Sequence, residues 1–356
     1  MIQLIEVITP HWRKFGAGLL GILFLVLITY YGWQISIVDT DSPVQLVIYA
    51  FSTQEEVYTQ GIFPAFKQSW ESVTGAEVKI DGVFGPSGTL AGQINLGAPA
   101  DVAIFSNANH INYLKISNLV KKDIQPLYFG VSPIVIITRP GNPTNIGDFS
   151  DLNQPGLILL HADPRSSGAG EWSLLAEYGS IYLDTKDKST SLNKVREIWQ
   201  NVLLMAPSAR GALTIFELGA GDAMITYEQD AMLAQDRGVA LEIIIPSPTI
   251  LAQPVAVAID DNITRSERAA VQAFLEFLSG VEGQSILSRF YMRPITHERP
   301  EKLSQINTFT SEDLGGWSAA YSQLVKPFWE SEILPYLSLD EESSLFTWEN
   351  SNAKIP

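Results

Sequence analysis

Short apolar runs alternate with amphipathic stretches along most of the chain. The runs VQLVIYAF (44–51), EVKIDGVF (77–84) and ADVAIFS (100–106) have the pattern of strands buried in a sheet, and the stretches between them have helical spacing. The same alternation resumes at GLILLHADP (156–164). Strands and helices in this order are typical of a mostly parallel sheet covered by helices. The sequence therefore predicts two α/β lobes.

Two extended passages, the first marked by proline and glycine and the second by proline, predict where the chain crosses between these lobes. They cover residues 126–152 and 241–259. The predicted division gives residues 44–130 and 247–345 to the first lobe, residues 131–246 to the second lobe, and residues 346–356 to a terminal tail.

A long apolar segment near the N-terminus indicates where the protein is located. Residues 15–38 are 24 positions without a formal charge, enough to cross a bilayer as one helix. Arg13 and Lys14 precede the segment and acidic residues follow it, so the positive-inside rule places residues 1–14 in the cytoplasm. We expect a single-pass protein of the cytoplasmic membrane, with residues 39–43 as a linker to an extracytoplasmic part. A cleaved signal peptide is the alternative, but no small-residue cleavage site follows the segment.

Composition and missing motifs exclude several classes of function. A net charge of -16 argues against a nucleic-acid partner, and the lack of cysteine excludes disulfides and thiolate metal sites. No phosphate-binding loop or nucleophile-elbow motif is present, and the four histidines lack ligand-like spacing. We therefore expect no cofactor and no metal. For an enzyme, the one candidate base is Glu228 beside Tyr227.

Three turns, each between a predicted strand and a predicted helix, are built from small residues. They carry Ser87 and Gly88, then Ser167, Gly168 and Ala169, and then Arg210, Gly211 and Ala212. In open α/β sheets ligands bind beyond the carboxyl ends of strands, where helix N-termini offer unpaired N–H groups and a partial positive charge. Ordinary helix capping is the alternative explanation of each turn. Together the turns favour a site for a small anion.

Longer blocks of the sequence resemble the sulfate- and thiosulfate-binding proteins of ABC importers. The blocks AFSTQEEVY, GPSGTLAGQI, GAPADVAIFS, DPRSSGAGEWSLLAEYG, ARGALTIFELGAGDAMITYEQDAMLA and DLGGW stand in this order and span most of residues 44–320. The resemblance implies a two-lobed, type II periplasmic-binding-protein fold that closes on one desolvated oxyanion. It also implies a monomeric receptor that passes this anion to a membrane permease and catalyses nothing.

The resemblance further implies that uncharged groups hold the anion. The matching positions are Ser87, Ser167, Gly168, Ala169, a backbone N–H near Gly211, and the side chain of Tyr227. The chain departs from the family pattern at two places. The family usually has tryptophan at the position of Tyr227, and it usually has Asp-Pro where this chain has Ser52 and Thr53. Both departures keep hydrogen-bond donors in place.

The identity of the anion stays open between two groups at this point. A site made only of donors suits an anion without a proton, such as sulfate, molybdate or tungstate, and disfavours protonated phosphate. The block FGPSGTLAGQI also resembles the molybdate-binding branch. A receptor for molybdate or tungstate is therefore the first alternative. An anion-sensing ectodomain that works through a membrane partner is an alternative of another class.

Overall fold

The computed structural model describes residues 43–295, 306–333 and 335. The predicted membrane segment at 15–38 and the predicted tail at 346–356 lie outside these residues. Within the described part of the chain, no helix combines the length and the apolar character needed to cross a bilayer. The expectation of an anchor therefore stands on the sequence alone.

Two sheets organise the described residues. The strands are β1 Val44–Phe51, β2 Val78–Gly85, β3 Val102–Phe105, β4 Leu127–Tyr128, β5 Ser132–Thr138, β6 Leu159–Ala162, β7 Val202–Ala206, β8 Ala223–Tyr227, β9 Glu242–Ile244, β10 Thr249–Ala252, β11 Val255–Ala258 and β12 Thr308–Phe309. The first sheet has the order β2–β1–β3–β11–β4, and the second has the order β12–β10–β5–β8–β6–β7, with β9 paired to β5.

Both sheets combine parallel and antiparallel pairs. In the first sheet β1 is parallel to β2 and β3, whereas β11 is antiparallel to β3 and β4. In the second sheet β6 is parallel to β7 and β8, whereas β5 is antiparallel to β8, β9 and β10. The two-lobed α/β architecture predicted from the alternation of apolar runs is confirmed.

Helices cover the faces of both sheets and connect their strands. The longer ones are α1 Phe63–Thr74, α2 Ser87–Asn95, α3 Asn109–Ile116, α4 Gly168–Thr185, α5 Lys188–Trp199, α6 Ala209–Glu217, α7 Glu228–Asp236, α8 Arg268–Ser279 and α9 Val281–Arg289. Helix α1 ends at Gly75, whose φ of 72° is left-handed, a conformation that glycine adopts readily at the end of a helix. Helix α8 buries Ala270, Val271, Phe274 and Leu278, the apolar stripe of an amphipathic helix.

Short helical turns complete the described chain. Single-turn segments lie at Ser52–Gln54, Glu55–Val57, Phe149–Asn153 and Ser311–Leu314, and a π-helical turn at Tyr58–Ile62 leads into α1. The C-terminal described segment continues through Gly316–Ala320, Tyr321–Val325, Lys326–Phe328 and Trp329–Ile333.

The second sheet extends further along the sequence than the predicted division of the lobes. Strands β10 and β12 belong to this sheet, although the prediction gives residues 247–345 to the first lobe. Leu251 and Ala252 of β10 pair antiparallel with the start of β5, and β12 pairs with β10. The chain passes between the sheets after β4, after β10 and again between β11 and β12. An apolar run shows that a strand is buried but not which sheet it joins, and therefore the pattern alone misplaces β10.

The C-terminal described segment packs on the second lobe through tryptophan pairs. Trp317 lies edge-on to Trp172 of α4 at 4.4 Å between ring centroids, and Trp329 meets Trp199 of α5 at 5.2 Å. Aromatic pairs in this arrangement stabilise a core beyond their buried area by about 0.5–1.5 kcal/mol each. This segment therefore lies against the lobe that contains β5–β10.

Candidate functional site

The carboxyl ends of strands from both sheets meet at one small cavity between the lobes. Strands β1 and β3 end here from the first lobe, and β6 and β8 end here from the second. The residues that line the cavity are Phe51, Ser52, Thr53, Pro86, Ser87, Ser106, Ser167, Gly168, Ala169, Ala209 and Tyr227. This is the position where ligands bind in open α/β sheets, because helix N-termini follow the strands there.

Most of the residues that the sequence predicts for the site are brought together in this cavity. Its lining includes Ser52, Thr53, Ser87, Ser167, Gly168, Ala169 and Tyr227, which come from four separate stretches of sequence and from both lobes. Distances along the chain between these stretches exceed 30 residues in each case. Only the packing of the two lobes against each other places them side by side.

Four of the predicted residues lie outside the cavity lining, and the structure shows other roles for three of them. The N–H of Gly88 donates to the carbonyl of Ser166 at 2.9 Å, and the N–H of Gly211 donates to the Ser208 hydroxyl at 3.0 Å. Ala212 is fully buried in the core of the second lobe. Arg210 also lies outside the lining, one position beyond Ala209 on α6. The turn before α6 therefore reaches the cavity through Ala209 instead.

Four lining residues are missing from the prediction: Phe51, Pro86, Ser106 and Ala209. The sequence could have indicated Ser106, because this residue directly follows the buried strand β3 and thus stands at a carboxyl end of the sheet. The backbone N–H of Ser106 donates to the Ser87 hydroxyl at 3.1 Å, which joins two turns of the first lobe. Phe51 and Pro86 carry no donor side chain, so their residue types gave no reason to choose them.

Three helices begin at the cavity and direct their N-termini toward it. Helix α2 begins at Ser87, α4 at Gly168 and α6 at Ala209, each a lining residue. The Ser167 hydroxyl accepts from the N–H of Ala169 at 3.3 Å, which caps α4. The first-turn N–H groups of a helix lack partners inside the helix and carry a partial positive charge. Three such termini on one cavity favour a negatively charged occupant.

Two buried hydroxyl groups at the cavity have no hydrogen-bond partner. They are Oγ1 of Thr53, from the first lobe, and the phenolic oxygen of Tyr227, from the second. Thr53 lies beside Asp230 and Tyr227 beside Ser106, but neither hydroxyl reaches hydrogen-bond geometry. Leaving a buried hydroxyl unpaired costs about 1–3 kcal/mol. Both groups therefore indicate a ligand that accepts hydrogen bonds.

In the described part of the chain, no charged side chain lines the cavity, so the donors it offers are neutral. Burial raises the pKa of the Tyr227 phenol well above its ordinary value, which keeps its proton in place as a donor. Arg165, the charged residue nearest in sequence to the Ser167 turn, pairs with Asp163 at 2.7 Å. The arrangement can hold an anion by dipoles and hydroxyls, without a lysine or arginine in contact.

The lobes are closed over the cavity by direct contacts between them. The Gln54 amide donates to Gln229 at 2.8 Å, and the indole N–H of Trp172 donates to the carbonyl of Ser106 at 2.8 Å. A Cβ on Gly168 would lie 1.9 Å from the Ser106 hydroxyl oxygen, so glycine allows α4 to approach the first lobe this closely. The two lobes thus contact each other directly beside the cavity.

Glu228, the candidate catalytic base, and His161 are engaged elsewhere. Glu228 forms a two-pronged ion pair with Arg293, at 2.6 and 2.7 Å, and does not line the cavity. His161 is fully buried and contacts Glu177 at 3.2 Å. In the described ranges no group of three or more histidine, aspartate or glutamate side chains could hold a metal ion.

Comparisons with known proteins agree with this geometry. A family model described as bacterial extracellular solute-binding protein matches residues 46–293. The sulfate-binding protein of Escherichia coli is 31% identical over 326 residues, 87% of this chain and 95% of the relative. The thiosulfate-binding protein of Pseudomonas aeruginosa is 28% identical over 269 residues, 71% of this chain and 81% of the relative.

A solved structure supports the same assignment. The sulfate-binding protein SubI from Mycobacterium tuberculosis superposes with a TM-score of 0.71 at 26% identity, covering 79% of this chain and 99% of SubI. Molybdate-binding proteins are more distant from this chain. These relatives are receptors rather than enzymes, and the chain belongs to the bacterial extracellular solute-binding proteins, in the sulfate- and thiosulfate-binding family of ABC importers.

Proposed function

We propose that this protein binds sulfate or thiosulfate between its lobes and delivers the anion to the permease of an ABC importer. The observation that carries the proposal is the cavity between the lobes with two unpaired buried hydroxyls, on Thr53 and Tyr227, beside three helix N-termini. A tetrahedral oxyanion accepts hydrogen bonds in several directions, and hence one ion can satisfy donors from both lobes. Binding then stabilises the closed arrangement that a permease would recognise.

The chemistry of the donors favours an anion that carries no proton. Ser52, Ser87 and Ser167 add hydroxyls to the two unpaired ones, and no carboxylate lines the cavity to accept a proton from the ligand. A protonated phosphate would bury its own hydroxyl without an acceptor, which costs about 1–3 kcal/mol. We therefore expect phosphate to bind more weakly than sulfate by tenfold or more.

The proposal includes attachment to the membrane through residues 15–38. The support is the uncharged length of this segment and the basic residues before it. Such an anchor would hold the receptor beside its permease. Fractionation of cells that express the full chain tests this part: the full-length protein should sediment with membranes and resist extraction by carbonate, and a shortened, soluble product would contradict it.

Calorimetric titration of the full-length chain in detergent tests the ligand. Sulfate and thiosulfate should bind, whereas phosphate should bind weakly or not at all. Thr53→Val removes one unpaired hydroxyl with little change of shape, and should weaken sulfate binding by about tenfold or more. Thr214→Val is the matched control, since the Thr214 hydroxyl bonds within its own helix at the carbonyl of Arg210.

Each outcome of the titration has a defined meaning. Molybdate or tungstate binding in preference to sulfate would replace the proposed ligand and keep the site. Equal weakening of sulfate binding by Thr53→Val and Thr214→Val would show that the Thr53 hydroxyl does not contact the anion. The absence of binding by every oxyanion would overturn the proposed function.

A further inference from the structure

A buried carboxyl group joins the two lobes beside the cavity. Glu171 lies in the first turn of α4, in the second lobe, and only 3% of the residue is exposed. Its Oε2 accepts from the Asn107 amide at 2.7 Å, and its Oε1 accepts from the Asn109 amide at 3.4 Å. Both asparagines belong to the first lobe, directly after β3. The carboxyl group is thus part of the contact that forms when the lobes close.

This contact holds a lining residue in place. Trp172, the neighbour of Glu171, donates its indole N–H to the carbonyl of Ser106 at 2.8 Å, and Asn107 follows Ser106. The N-terminus of α4 and the turn at 106–109 are therefore locked together by two adjacent residues. Separation of the lobes would break both contacts and would return the Glu171 carboxyl group to water.

Among the residues that the structure describes, the groups that face Glu171 offer it no positive charge. His110, from α3, lies 4.0 Å from Oε2 with its Nδ1, and burial lowers the pKa of this imidazole to about 4. Tyr227, from the end of β8, and Tyr321, from the C-terminal segment, are the other titratable neighbours, and Glu330 acts on Tyr321. Each of these neighbours is neutral or acidic near pH 7. A charged Glu171 would thus be buried without a cation and close to a bound dianion.

We propose, on the basis of the anion-receptor function above, that Glu171 is a positioning residue which takes up one proton from solvent as the lobes close on the anion. The carboxylate becomes a neutral carboxyl group. Its Oε1, which makes the longer of the two contacts, is the oxygen that carries the proton. Closure and anion binding are thereby coupled to pH, although the sulfate ion itself does not titrate.

The direction of the coupling follows from the burial of the carboxyl group. Burial raises the pKa of Glu171 from its ordinary 4.5 to about 8 in the closed structure, despite the two amide donors that lower it. Between pH 4.5 and about pH 8, the closed form therefore holds a proton that the open form has released. Anion affinity should fall as pH rises through this window, by at most about tenfold per pH unit, and should level off above it.

Calorimetry of the full-length chain in detergent, with sulfate as ligand, tests the proposal at several pH values between 5.5 and about 9. Titrations in buffers of different ionisation enthalpy measure the protons taken up per anion bound. We expect wild-type uptake near pH 7 and a Kd that rises with pH. Glu171→Gln cannot take up the proton, so it should lose that uptake and show a flatter pH profile.

Two further variants test whether other buried carboxyl groups contribute to the proton uptake. Glu177→Gln changes a buried carboxylate of the same helix that contacts His161 and Trp199 within the second lobe, and it should keep the wild-type profile. Asp230 is buried beside Thr53, with its pKa raised to about 7 by burial, so Asp230→Asn measures any share of the uptake that belongs to it. Wild-type proton uptake in Glu171→Gln would overturn the proposal. If wild-type protein binds no anion at any pH, the proposed function fails instead.

Discussion

The rings of Phe51 and Tyr227 contact each other at the edge of the cavity, with centroids 6.1 Å apart and planes tilted by 57°. Phe51 ends β1 of the first lobe, and Tyr227 ends β8 of the second. The aromatic contact closes one side of the cavity with apolar surface, while the Tyr227 hydroxyl stays without a partner. We therefore propose that Tyr227 both seals one side of the site and offers a donor to the anion.

Removal of the Tyr227 hydroxyl should weaken sulfate binding without lowering the stability of the unliganded protein. In Tyr227→Phe the ring contact remains and the donor is lost, so sulfate affinity should fall by about tenfold to a hundredfold, the range for a hydrogen bond to a charged group. The unliganded protein should unfold at the same or a higher temperature, because no buried hydroxyl is left unpaired. Calorimetry and thermal unfolding measure the two effects. Tyr182→Phe, on the outer part of α4, is the control, and unchanged affinity in Tyr227→Phe would show that the hydroxyl does not contact the anion.

Two glycines of helix α2 should respond differently to alanine. A Cβ on Gly88 would lie 2.9 Å from the carbonyl oxygen of Ser166, in the backbone of the other lobe, whereas a Cβ on Gly92 meets no atom within 4 Å. Both changes favour the helix by about 0.5–1 kcal/mol. Gly88→Ala, however, obstructs closure, so sulfate affinity should fall by about tenfold or more, as expected for overpacking of about 1–3 kcal/mol.

The measurement for this glycine pair combines sulfate titration with chemical unfolding of both variants. Gly92→Ala should bind sulfate like the wild type and should be slightly more stable. Equal sulfate affinities of Gly88→Ala and Gly92→Ala would contradict this prediction. They would mean that, with the ligand bound, Gly88 does not lie as close to the backbone of Ser166 as it does in this structure.

Asp101 should make the stability of the protein depend on pH. The carboxyl group is buried in the first lobe and accepts from the N–H of Val47 at 2.7 Å. Desolvation raises its pKa from 3.8 to about 6, against the effect of that hydrogen bond. The folded state holds the Asp101 proton more tightly than the unfolded state does. The protonated group therefore stabilises the fold fully below the unfolded pKa of 3.8, and this stabilisation is lost as pH rises through about 6. The loss is about 1–2 kcal/mol once solvent screening is allowed for.

Asp101→Asn keeps an oxygen that can accept from Val47 and carries no charge. Its free energy of unfolding, relative to the wild type, should therefore increase between pH 4 and pH 7 in urea titrations. A difference that stays constant across this range would exclude Asp101 as the source of the pH dependence.

Several features of this protein could be determined from the sequence alone. Alternation of apolar runs and helical stretches specifies two α/β lobes, because buried strands and amphipathic helices have different periods. Small donors after the strands, at Ser87, Ser167 and Gly168, mark the end of the sheets where the cavity lies, because these residues stand where helices begin. Resemblance of the longer blocks to sulfate- and thiosulfate-binding proteins also came from the sequence, and the relatives confirm it.

Other features were decided only by the tertiary structure. The sheet that β10 joins depends on pairing with β5, which an apolar run cannot encode by itself. Gly211 resembles a donor in the sequence, but its N–H is taken by the Ser208 hydroxyl. The lobe contact of Glu171 with Asn107 joins residues 64 positions apart and exists only when the lobes meet. Local composition identifies groups that can donate, whereas long-range packing decides which of them remain free to bind a ligand.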